Sequence, residues 1–126
     1  MKGIKRRVRV VRKRPPAPEL TIAERREFTI EMEEICEEYF LYFLREDISF
    51  PKIKVRRMRS RWGSCNVTDH VITFSTLLYE KDRIYKEYVA VHELCHLIHP
   101  NHSKDFYVLV AKFLPNWKKL RAELNA

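Results

Sequence analysis

The sequence predicts an α+β fold, with one long N-terminal helix, a small antiparallel sheet and a group of C-terminal helices. Three observations predict it. Phe28, Met32, Ile35, Tyr39 and Tyr42 recur at helical spacing. Two short runs then carry strand patterning, Ile53 and Val55 alternating with cations and Val71, Ile72 and Phe74 beyond a turn-rich stretch. From Asp82 onward helical spacing returns, broken only at Pro100 and Pro115. Strands followed by several helices suit a small sheet packed against them.

Residues 1–14 hold Lys2, Lys5, Arg6, Arg7, Arg9, Arg12, Lys13 and Arg14, with no acid. Val8 and Val10 alternate with Arg, which suits a half-exposed strand and a disordered arm equally. Pro15, Pro16 and Pro18 break regular structure. Residues 1–18 are therefore expected to form a basic, Pro-rich arm and 19–126 the folded domain. Thr21 and Glu24 make a capping-box pattern that starts a helix, expected to run to about Arg45. Its apolar stripe belongs to the core, and Arg25, Arg26, Glu33, Glu34, Glu37 and Glu38 form its solvated face. Residues 52–61 carry six cations and no acid, which suit either phosphate or the acidic helix before them. Gly63, Asn66 and Asp69 are turn residues, so 53–75 is expected to be one hairpin. Trp62 would fill core there, and Gly63 would supply a positive φ. Asp82 can cap a helix from Arg83 to His99, and Ser103 another to Leu114. Pro115 and Asn116 restart a last short helix to Leu124.

Composition narrows the class. A chain of 126 residues fits one domain, and a 45% hydrophobic content gives it a modest core. The net charge of +8 comes from 25 Lys+Arg against 17 Asp+Glu. Residues 1–14 account for all of it, because the remainder balances. Two Gly and six Pro exclude collagen-like material. No apolar run reaches the roughly 18 residues of a membrane span, and the basic N-terminus lacks the apolar stretch of a secretory signal. Three irregularly spaced cysteines are not a disulfide framework. The expectation is a cytoplasmic protein with reduced thiols. The absence of Gln and the wealth of Glu, Lys and Arg resemble hyperthermophile usage.

Chemistry concentrates in His92-Glu93-Leu94-Cys95-His96, an H-E-x-x-H pattern within a helix. Four residues advance about 400° on a helix, so both imidazoles share one face about 6 Å apart along the axis. Two nitrogens at that spacing can reach one Zn²⁺ at about 2.0–2.1 Å. Zinc lowers the pKa of its bound water towards about 7, and Glu93, beside the first ligand, can take the proton and return it to a leaving group. Val89, Val91, Leu94, Leu97 and Ile98 make the helix largely apolar, and imidazoles and a carboxylate buried there need a reason.

A catalytic zinc takes three protein ligands. His99 and His102 are candidates for the third. His99 faces the same way as His92 but one turn too far along. His102 follows Pro100, where the chain can turn and approach the metal from another side, so geometry favours it. His70 is expected to be structural or to line the rim, Cys95 to lie in the core, and Arg61, His70 and Tyr107 are candidates for polarising a substrate.

Arg61-Trp62-Gly63-Ser64-Cys65 and HELCHLIHPNHSKDFY over 92–107 resemble the YgjP-like metallopeptidase domain, itself similar to WLM and SprT-like zincins. The likeness spans about residues 25–124, including Pro51 to Arg59, Tyr88-Val89, Phe106, Leu114-Pro115 and Trp117. It implies a minimal zincin-like fold, zinc held by His92, His96 and His102, and a catalytic Glu93. Zincins lay an extended peptide along a sheet edge above the active-site helix. By that resemblance the strand at 71–75 would offer the edge, with Ile72 and Phe74 against the substrate. The expected activity is zinc-dependent hydrolysis of peptide bonds in extended peptide or unfolded protein. Some YgjP-like proteins are described as pyrophosphatases acting on UTP, which leaves a phosphoanhydride substrate open. SprT-like relatives act on protein bound to DNA, so residues 1–14 and 52–61 are candidates for nucleotide or nucleic-acid contact.

Overall fold

A computed structural model describes residues 16–43 and 47–126. The strand expected at 4–12, the contacts expected of residues 1–14, and Arg45 lie outside them. The elements are α1 (Ile22–Phe40), a 3-10 turn (Leu41–Phe43), β1 (Lys52–Arg56), β2 (Gly63–Asn66), β3 (Val71–Ser75), a second 3-10 turn (Thr76–Leu78), α2 (Arg83–His96), α3 (Lys104–Phe113) and α4 (Trp117–Leu124).

The α+β class is as the sequence predicts, but the sheet is mixed rather than antiparallel. Its strand order is β1-β3-β2, with β1 parallel and β2 antiparallel to β3. The hairpin is β2–β3, turning at 67–70, and not one ribbon over 53–75. Turn chemistry is present one step later than its residues suggested. Asn66 Oδ1 accepts from the Asp69 backbone N–H at 2.9 Å, and His70 takes a φ of 61°. Asn is an acceptable left-handed residue and so is His, which lets 67–70 close while 63–66 stays extended.

Helix α1 starts as expected. The Thr21 side chain accepts from the Glu24 N–H and Glu24 accepts from the Thr21 N–H, at 3.0 and 2.9 Å. Phe28, Met32, Ile35 and Cys36 form its buried face. Helix α2 is the hub: every residue from Tyr88 to His96 is buried, and the helix packs against α1, α3, α4 and β2. It ends at His96 rather than His99, three residues sooner, because Pro100 disfavours helical backbone before it.

The acids of α1 answer cations of α2, not those of β1. Lys86, buried, lies 2.9 Å from Glu31, and Arg83 lies 2.9 Å from Glu38 and 2.7 Å from Glu87. Tyr39 donates to Glu87 at 3.1 Å, and its phenol is pushed up to about 12 by burial and by that carboxylate. Residues assigned by sequence to the arm also join the fold: Ala17 is buried, and its carbonyl accepts from Arg57 Nε at 3.0 Å. None of the three cysteines is in a disulfide, and burial raises the thiols of Cys36 and Cys95. Among the described residues no helix is long and apolar enough to cross a membrane.

Candidate metal centre

His92 and His96 project from one face of α2 with ring centroids 5.1 Å apart. Beyond Pro100 the chain turns back, and His102 brings its ring to 5.2 Å from His92 and 4.6 Å from His96. The donor atoms of the three lie within 4.8 Å of one another. The His102 and His92 Nε2 atoms are 3.2 Å apart. Two nitrogens bound at 2.0–2.1 Å to a tetrahedral ion are separated by about 3.4 Å, so this donor set fits zinc.

Backbone and aromatic groups hold the imidazoles. His96 Nδ1 lies 3.2 Å from the His99 carbonyl. A carbonyl only accepts, so Nδ1 carries the proton and Nε2 is left as the donor towards the cluster. His99 thus enters through its main chain, and its side chain is not among the three. Phe106, fully buried on α3, touches all three rings, at centroid distances of 5.0, 4.5 and 4.9 Å from His92, His96 and His102. Ser103 sets this up by accepting from the Phe106 N–H at 3.3 Å, which starts α3 right after His102. Tyr107 stacks between His102 and Trp117, at 6.0 and 4.8 Å. Phe106 and Tyr107 are ring partners of the histidines that spacing in the sequence did not single out as such; three residues separate His102 from Phe106, and only the start of α3 decides which ring faces inward.

Glu93, one residue round from His92, is 1% exposed. The start of β2 lies against it. A Cβ on Gly63 would sit 3.3 Å from Glu93 Oε2 and Cγ and 2.9 Å from Val89 Cγ1. Gly63 does not have a positive φ, contrary to expectation. Its value is the close approach of strand backbone to helix. Trp62 beside it fills core as expected, and its Nε1 donates to Asn125 Oδ1 at 2.9 Å.

The substrate residues drawn from the sequence fare differently. Strand β3 is central, so it offers no free edge, and Ile72 and Phe74 are fully buried. The edge that the resemblance implies at 71–75 is covered because 63–66 is extended and pairs with it as β2. His70 closes the far end of the β2–β3 hairpin and bonds the Ser49 carbonyl, away from Gly63 and Glu93. Arg61 lines a shallow groove of about 320 Å³ with Ser64, Cys65, Asn66 and Val67, along β2. Cys95 is buried in the core as expected.

Two imidazoles on the helix of the H-E-x-x-H pattern and a third from the segment after it, with the glutamate under an edge strand, form an arrangement that suits a metallopeptidase. The chain belongs to the YgjP-like metallopeptidase domain family, which matches residues 7–126. Two solved structures share its fold. The metallopeptidase zymogen of Pyrococcus abyssi abylysin superposes with a TM-score of 0.62 at 19% identity, over 75% of this chain and 90% of that one. The metallopeptidase zymogen of Methanocaldococcus jannaschii jannalysin gives 0.62 at 16% identity, over 73% and 91%. Among curated proteins none matches significantly. Family membership makes the protein a peptidase that acts on peptide or protein and implies a metal, typically zinc.

Proposed function

We infer that the protein hydrolyses peptide bonds with zinc held by His92, His96 and His102 and with Glu93 as general base and then general acid. The observation that supports this most directly is the convergence of the three donor atoms within 4.8 Å, beside a buried Glu93. Zinc, when bound there, supplies Lewis acidity towards a carbonyl and lowers the pKa of water.

The chain supplies the rest. Glu93 accepts a proton at a carboxylate oxygen from the attacking water and delivers it to the departing amine nitrogen. The walls of Phe106 and Val89 exclude bulk water, which strengthens electrostatic interactions inside. The His99 carbonyl keeps His96 in one tautomer and orientation. An extended substrate pairs with the outer edge of β2, not β3, because β2 is the outer strand packed on α2. Arg61, which lines the groove along β2, is the cation we assign to contact with the substrate backbone.

Glu93→Gln tests the mechanism. It should keep one zinc per chain and lose turnover of an unstructured peptide by at least about 10³-fold, within the range general-base catalysis and proton delivery supply together. Turnover that persists in this variant sinks the role of Glu93. UTP run beside the peptide separates the two hydrolase chemistries: UTP turnover without peptide turnover overturns the peptidase reading of this chain.

A further inference from the structure

Strand β1 has two very different faces. Ile53 and Val55 are buried towards α1, while Lys52, Lys54 and Arg56 are exposed on the other side of the sheet. That second face continues across the strands. Lys54 is in register with Thr73, and Thr73 with Ser64, so one rung offers an ammonium and two hydroxyls. Lys52 is in register with Val71, and Val71 with Asn66, in the next rung.

No ion pair among the described residues engages Lys52, Lys54 or Arg56, since the acids of α1 are turned to Arg83 and Lys86. Asp69 is the nearby carboxylate, at the hairpin tip, where its Oδ2 accepts from Asn66 Nδ2 at 3.1 Å. Arg57, the next residue after the strand, is engaged elsewhere: its Nε donates to the Ala17 carbonyl at 3.0 Å and its guanidinium lies 4.0 Å from Glu19.

We propose that this sheet face, on the side away from Glu93, is a binding surface for the sugar-phosphate backbone of single-stranded nucleic acid. Alternate residues of a strand are about 6.6 Å apart, so three cations form a regular row that suits a polymer with one charge per unit. Hydroxyl groups beside such a row donate to phosphate oxygens. The rung of Lys54, Thr73 and Ser64 carries no aromatic or large aliphatic side chain for the central contacts a protein partner needs; Val71 is half-buried, and Phe50 and Val67 are exposed only next to the Lys52–Asn66 end. That rung also offers no ring for base stacking, so binding is insensitive to sequence and steeply salt-dependent.

The test uses the full chain and a fluorescent oligothymidylate, with anisotropy read over a salt series. The triple variant Lys52→Gln, Lys54→Gln, Arg56→Gln should bind about tenfold more weakly, with a log–log salt slope shallower by about 2, since each single-strand phosphate contact contributes about 0.7. These side chains are exposed, and an unchanged melting temperature confirms that the variant folds. Its turnover of a short neutral peptide should equal the parent's, which keeps the result separate from the peptidase assignment. Unchanged affinity and slope in the triple variant overturn the proposal. Equal or tighter binding of polyglutamate of matched charge also overturns it, and points to an acidic protein instead.

Discussion

The two outer strands of the sheet meet the problem of an exposed edge in opposite ways. Strand β1 reads Lys-Ile-Lys-Val-Arg, with a cation at every second position, and Arg25 of α1 donates to its Val55 carbonyl. Charges and occupied backbone groups are how proteins prevent unwanted strand pairing. Strand β2 reads Gly-Ser-Cys-Asn, has no charge, and rests on the helix that carries the glutamate. One edge is guarded and the other is left receptive. On the proposed function, substrate handling falls to the α2–β2 half, while the α1–β1 half braces the sheet and carries its basic face.

Five changes break or sharpen that division. Phe106→Ala removes the ring shared by three imidazoles and should cost about 3–5 kcal/mol in stability. It should also weaken zinc binding by about tenfold or more, as loss of ligand support does. Chemical denaturation and competition with a chromophoric chelator measure the two; unchanged zinc affinity would limit Phe106 to core packing. Gly63→Ala drives a methyl into Val89 and Glu93. It should cost about 1–3 kcal/mol and about 10²-fold in kcat/KM, the effect of displacing a catalytic group by about an ångström. Near-parental kcat/KM would show that Glu93 tolerates the shift.

Ser64→Lys puts a guard charge on the receptive strand, and should reduce peptide turnover severalfold while the melting temperature stays within a few degrees. Lys54→Ser, the reciprocal change on β1, should leave peptide turnover as it was. Equal effects of the two on KM would erase the distinction between the edges. The smallest effect belongs to the scaffold half. The Tyr39 phenol is raised from 10.0 to about 12, so the fold holds its proton more tightly than the unfolded chain does. Its contribution is complete below pH 10 and is lost as pH rises towards 12. Tyr39→Phe should therefore show a shallower fall of melting temperature between pH 10 and 12, and a steeper one would reverse the sign.

Local patterns were legible in the sequence, and pairings were not. The capping box at Thr21 and Glu24, the Ser103 cap and the apolar periodicity of α1 and α2 are short-range, and the helices start where those signals lie. The class of fold followed from them. Sheet order did not, because Gly63 and Asn66 carry turn propensity while their backbone is extended, and the hydrogen bonds that decide this come from β3. The resemblance put Ile72 and Phe74 at a substrate edge, but with 63–66 extended as β2 their strand is central and both side chains are buried. His92, His96 and His102 were readable because helix periodicity fixes two of them and Pro100 explains how the third returns. The part of His99 was hidden because a main-chain carbonyl has no signature in the sequence. Phe106 entered only through the family resemblance and without a role, since its contacts depend on the angle at which α3 leaves His102.

Gly63 has a further consequence. Where most neighbouring elements are cushioned by two layers of side chains, here a strand's main chain and a carboxylate touch with only one side chain between them. A small sliding or twisting of β2 therefore has little slack to take up before it moves Glu93. A ligand that stiffens that strand would also sharpen the position of the carboxylate, so under the proposed mechanism occupancy at the edge and readiness for proton transfer rise together.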